Sequence, residues 1–77
     1  MNAKTRKEIE KLTESLDEIK CAIEQMQYDE EEKFDNLPES IQDSERGDEF
    51  QEAIENLESA ASSLEEAIDY LNEILEG

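Results

Sequence analysis

The chain has no histidine and no tryptophan, and only one cysteine, one proline and two glycines among its 77 residues. Without histidine it lacks the usual general base and metal ligand at neutral pH. One cysteine excludes an internal disulfide and a cysteine-built zinc site. With so few glycines there is no glycine-rich phosphate loop. No apolar run approaches the roughly 20 residues that cross a bilayer, and the N-terminal segment has no apolar signal core. Cations are scarce as well: 7 basic residues stand against 24 acidic ones, for a net charge of −17. Nucleic acid and anionic lipid repel such a surface, so neither is expected as a direct partner. At 77 residues there is one small domain and no cleft in which a carboxylate pair could be tuned for acid–base work. The expectation is a non-enzymatic protein with no cofactor and no metal site.

What is present is periodicity. A composition of 40% charged and 35% hydrophobic residues borders on that of disordered chains. The apolar positions nevertheless keep register. Ile9, Leu12, Leu16, Ile19, Ile23 and Met26 alternate spacings of three and four, as do Phe50, Ile54, Leu57, Ala61, Leu64, Ile68, Leu71 and Leu75. That alternation marks the seam of helices packed at a shallow angle. The fold class is therefore all-α: two long amphipathic helices, about 3–35 and about 48–76, the second starting at about Ser44 or Asp48, joined by a connection over about 36–47. Pro38 disfavours helix at Leu37 and suits the first turn of a new one, so 38–42 should form a short turn tucking Leu37 and Ile41 inward. Gly47 should break or bend the chain before the second helix. Similar lengths and a short connection predict an antiparallel hairpin. Lys4, Arg6, Lys7 and Lys11 would then lie beside Glu65, Glu66, Asp69, Glu73 and Glu76, so that opposite charges offset each other.

With Ile9 at heptad position a, Ile9, Leu16 and Ile23 occupy a, and Leu12, Ile19 and Met26 occupy d. In the second helix Ile54, Ala61, Ile68 and Leu75 take a, and Leu57, Leu64 and Leu71 take d. Ala53, Ala60, Ala67 and Ile74 add every g position. This stripe is wider than one partner helix needs, and a two-helix core is small for independent stability. Two hairpins pairing into a four-helix bundle is the expectation, through Ile54, Ala60, Ala61, Leu64, Ala67, Ile68, Leu71 and Ile74. The alternative is that a different protein covers this face.

Carboxylates supply the candidate partner-binding residues. Glu52, Glu55, Glu58, Glu66, Asp69, Glu73 and Glu76 lie off the apolar seam, interrupted by Ser59, Ser62 and Ser63. A row of carboxylates on a rigid rod can imitate a phosphate backbone and occupy the basic groove of a nucleic-acid-binding protein. The plainer reading is a solvated face that maintains solubility. Tyr28-Asp29-Glu30-Glu31-Glu32 sets an exposed aromatic beside an acidic run, a possible anchor. Alternatively Tyr28 lies along the helix while Phe34, Leu37, Ile41 and Phe50 plug the hairpin tip. The stretch Asp43–Asp48 is a poor calcium loop: its glycine falls one place early, Arg46 interrupts the acids, and Ile54 stands where the closing Glu belongs. Cys21, at an outward f position among acidic neighbours, reads as an incidental surface thiol in a reducing cytosol.

Tyr28-Asp29-Glu30, Phe34-Asp35-Asn36-Leu37-Pro38-Glu39-Ser40 and Gln42-Asp43-Ser44-Glu45-Arg46-Gly47, with the flanking acidic heptads, resemble small acidic helical proteins of unknown function from phages and prophages of Gram-positive bacteria. The distinctive part is 35–47. The resemblance transfers no activity residue by residue. It implies a cytoplasmic setting in an infected or lysogenic bacterium and a small protein that binds and inhibits a host enzyme, such as a defence nuclease. The charge of −17 on a rod adds the expectation of an inhibitor or modulator engaging a basic surface of that host protein.

Overall fold

The computed structural model describes residues 1–77 as three helices: α1 (Ala3–Asp35), α2 (Glu39–Gln42) and α3 (Glu45–Glu76). α1 and α3 run antiparallel along each other, and α2 is the single turn that reverses the chain. The result is a rod of 58 × 14 × 14 Å with a radius of gyration of 17.4 Å. A compact domain of this length has a radius of about 11.5 Å. The elongation follows from having two helices and nothing to wrap around them.

Each helix end is satisfied differently. At the start of α1 the Asn2 side chain accepts from the Thr5 amide at 2.8 Å, supplying the cap. At its end Gln42 reaches back from α2, its Nε2 donating to the carbonyls of Phe34 (3.0 Å) and Leu37 (3.1 Å). The Phe34 carbonyl, in the last turn of α1, also accepts from the Leu37 amide at 3.0 Å, and the Leu37 carbonyl lies just beyond the helix end. Pro38 opens α2 as expected, and Leu37 and Ile41 are half-buried, as are Phe34 and Phe50.

α3 begins at Glu45 directly after Ser44, the earlier of the two expected starts, so Gly47 does not break the chain ahead of it. Gly47 instead sits buried inside the first turn of α3, in ordinary helical backbone. A Cβ there would stand 1.9 Å from the Gln42 carbonyl oxygen. Glycine is required because α2 crosses that close, not because the chain bends. The earlier start brings Glu45 and Asp48 into the first turn, where carboxylates favour the positive helix end.

The last turn of α3 contains no cation of its own. Arg6 provides one from the other helix, its guanidinium donating to the carbonyls of Ile74 (3.3 Å) and Leu75. The expected compensation of charge at this end thus runs through backbone carbonyls and not through the neighbouring carboxylates. The molecule's one ion pair lies elsewhere, between Lys33 and Glu30 at 3.0 Å.

The seam corrects the expected heptad on one side only. In α3 the a and d residues face α1: Ala61 and Ile68 are buried, and Ile54, Leu57, Leu64, Leu71 and Leu75 are half-buried. In α1 the a residues behave likewise, with Ile9 buried and Leu16 and Ile23 half-buried. Its d residues do not: Leu12, Ile19 and Met26 remain 57%, 50% and 58% exposed. The other flank of the α1 seam is formed by Thr13, Lys20, Gln27 and Phe34, at position e, all half-buried. α1 is rotated so that polar e residues border α3 while an apolar row faces outward.

Candidate binding surfaces

The acidic side chains line three open depressions, none enclosed. The first, of ≈ 320 Å³, runs along one side of the hairpin between Lys20, Glu24, Tyr28 and Glu31 of α1 and Glu58 and Glu65 of α3. It joins Tyr28, Glu31 and Glu58 from the two acidic segments that the sequence singled out. Gln27 belongs to the same wall, its Nε2 donating to Glu31 at 3.2 Å and steadying that carboxylate. Tyr28 is 69% exposed, so the aromatic ring is available at the mouth of the groove.

The second depression, of ≈ 340 Å³, lies against α3 alone and is formed by Glu66, Asp69, Tyr70 and Glu73. Two successive helical turns bring these residues together, since i, i+3, i+4 and i+7 share a face. Tyr70 was not anticipated. It is as exposed as Tyr28, at 69%, and sits among three carboxylates. Its outward c position was readable from the heptad.

The third, of ≈ 490 Å³, is near the connection, between Glu30 of α1 and Glu45, Arg46, Glu49, Phe50 and Ala53. It occupies the opposite side of the hairpin from the first groove. The run from Asp29 to Glu32 is therefore divided: Glu31 belongs to one side and Glu30 to the other, while Asp29 and Glu32 are exposed. Asp29 accepts from Gln25 Nε2 at 3.1 Å. Glu30 is held by Lys33, and that hydrogen bond, together with the charges of Glu30 and Asp29, raises the Lys33 pKa from 10.5. Glu55 is exposed on α3.

No cluster of three or more carboxylates or thiols has the geometry to hold a metal ion. Cys21 is free and exposed. No buried side-chain polar atom lacks a partner, and no helix is long and apolar enough to cross a membrane.

Of the residues assigned to self-association, Ala61 and Ile68 are buried within the hairpin itself. Ala60 and Ile74 are exposed, and Ile54, Leu64, Ala67 and Leu71 are half-buried. Comparison with protein families, characterised proteins and solved structures gives no match for this chain.

Proposed function

We propose that the protein is a non-enzymatic, acidic binding module that engages a basic, nucleic-acid-binding surface of a bacterial host protein, working as a pair of hairpins. In this reading it is a phage-encoded inhibitor or modulator that acts in the host cytoplasm as a nucleic-acid mimic. One observation carries it. A net charge of −17 is spread over a rigid rod 58 Å long with a single ion pair to quench it. That is one negative charge per about 3.4 Å of axis, the phosphate spacing along one strand of DNA. Solubility alone needs far less, since a net charge of about 2–8 suffices for a small domain. Tyr28 and Tyr70, each exposed beside carboxylates, add aromatic contact area suited to anchoring a partner.

The test is capture from a bacterial lysate at about 0.1 M and about 0.5 M salt, a range over which surface charge is increasingly screened. Disordered polyglutamate serves as the charge-matched control. A nucleic-acid-binding protein held at low salt, released at high salt and ignored by polyglutamate is the expected outcome. Replacing Glu55, Glu58, Asp69 and Glu73 by lysine should abolish that capture while leaving the circular dichroism helical. If capture survives the reversal, the acidic faces are not the interface. A second reading, an adaptor that pairs with a helix of another protein, draws on the exposed row Leu12, Ile19 and Met26. It predicts a partner that stays bound through high salt.

A further inference from the structure

The two long helices arrange their charges differently. α3 has ten pairs of carboxylates at spacings of three or four residues, such as Glu52–Glu55, Glu65–Asp69 and Glu73–Glu76. Against them stands one pair of opposite sign, Arg46–Glu49. α1 mixes its signs: nine opposite pairs, such as Lys7–Glu10, Lys11–Glu14 and Lys20–Glu24, face eight like ones. Residues at these spacings are neighbours on a helix, so opposite pairs favour it and like pairs oppose it to a similar extent. α1 is close to balance. α3 is opposed along most of its length.

Nothing within the fold offsets that repulsion. No basic residue follows Arg46, and no cation of α1 pairs with a carboxylate of α3. Arg6, which does cross, donates to the Ile74 and Leu75 carbonyls instead. Glu73 and Glu76 stand at the negative end of the helix, which disfavours them. Packing is thin as well. In α3 only Gly47, Ala61 and Ile68 are buried, and no side chain of the molecule is fully enclosed. A two-helix core of this kind has little stability to set against like charges.

The reach of the repulsion depends on what surrounds the chain. Charges act over about 30 Å at 0.01 M salt and over only a few ångströms near 0.5 M. The first distance is half of the 58 Å rod. The second is no longer than the roughly 5–6 Å between neighbouring side chains on a helix. A basic surface laid along α3 acts as concentrated salt does, and it stays in place.

Resting on the basic-partner reading above, we infer that α3 is a charge-gated helix, uncoiled while its carboxylates are bare and formed on α1 when cations of a partner cover them. Binding and folding of this element are then one event, and the rod is the neutralised form of the chain. The gate also describes the partner. Neutralisation must reach from Glu52 to Glu76, about 36 Å at 1.5 Å per residue. The fitting surface is therefore a continuous basic track. A compact patch of lysines covers one turn and leaves the ordering cost of the others unmet.

The test is the circular-dichroism signal at 222 nm of the full chain, measured without any partner. α1, α2 and α3 hold 33, 4 and 32 helical residues, so uncoiling α3 removes nearly half of the signal. Between about 0.01 M and about 0.5 M salt the signal should rise about 1.9-fold. Millimolar spermine, a polyamine with no signal of its own, should produce the rise at low salt. A full signal at 0.01 M would overturn the gate, and so would a signal that stays low in both salt and spermine. The combined variant Glu55→Gln, Glu58→Gln, Asp69→Asn and Glu73→Gln removes six of the ten like pairs. It should be helical already at 0.01 M. If it needs salt as the wild type does, the charge of α3 is not the gate. Amide exchange at low salt locates the change and should be faster over 51–76 than over α1. Equal exchange in both helices would move the gate off α3. Capture from a lysate is scored separately: its failure beside a salt-dependent helix removes the basic-partner reading and leaves the gate, and the converse result does the reverse.

Discussion

α1 and α3 bear the same spacing of apolar residues and use it differently. α3 turns its a and d rows toward its neighbour and keeps a third row, at g, in reserve. α1 turns its a row inward, borders it with Thr13, Lys20, Gln27 and Phe34, and leaves Leu12, Ile19 and Met26 facing out. A 3/4 repeat specifies that a helix has an apolar stripe. It does not specify which flank of the stripe meets which neighbour. In a two-helix protein no surrounding layer decides the matter, so the choice falls to the balance of both flanks.

The sharpest way to break the comparison is to strike one buried and one exposed residue of the same type. Ile68→Ala removes a side chain that is 9% exposed and should cost about 2–4 kcal/mol. In a small helical hairpin that is enough to abolish most of the circular-dichroism signal at 222 nm near body temperature. Ile19→Ala should lower the melting temperature by less, and the difference from wild type should shrink as protein concentration falls, because only the association term is lost. Equal losses from the two variants at every concentration would mean that both isoleucines serve one intramolecular core.

Gly47→Ala should follow in size, at about 1–3 kcal/mol, through the clash with the Gln42 carbonyl. Thermal melting checks it, and a stabilised variant would show that Gly47 is a helix-propensity liability and nothing more. Salt should act in the opposite direction. Raising it from about 0.05 to 0.5 M screens the self-repulsion of a chain at −17 and should raise the melting temperature. A melt that is flat in salt would detach the charge from stability altogether. The smallest effect belongs to the Lys33–Glu30 pair, whose lysine side chain is 64% exposed. Because this lysine's pKa is raised from 10.5, the pair's contribution is complete below 10.5 and disappears only as pH climbs through the raised value. Lys33→Met should therefore leave melting unchanged near pH 7 within experimental error, as exposed pairs contribute little.

Much of this architecture was readable from residue order. The limits of α1, the turn after Pro38 and the antiparallel return follow from periodicity and proline chemistry. The choice between Ser44 and Asp48 as the start of α3 does not, because Gly47 answers to a crossing of backbones that only the folded chain creates. The Arg6 contact was half legible: a cation near the far helix end was expected, but its acceptors are main-chain carbonyls, which no side-chain pattern reveals. For the candidate surfaces, the abundance of carboxylates was plain and their distribution was not. Glu30 and Glu31 are neighbours in sequence and face opposite sides of the rod. Tyr70 is off the apolar seam that the 3/4 spacing marks, and its c position places it among Glu66, Asp69 and Glu73.

The Arg6 contact also bears on how the hairpin is made. Its acceptors are 68 and 69 residues away along the chain. During synthesis α1 emerges first, with its outward apolar row and its inward one equally bare, and the clasp at its start must wait for almost the last turn of α3. Closure is consequently a late, long-range event, with an entropic cost that grows only slowly with the length enclosed. Until then the nascent helix carries two unprotected stripes, and the like charges around them are what hold neighbouring nascent chains apart.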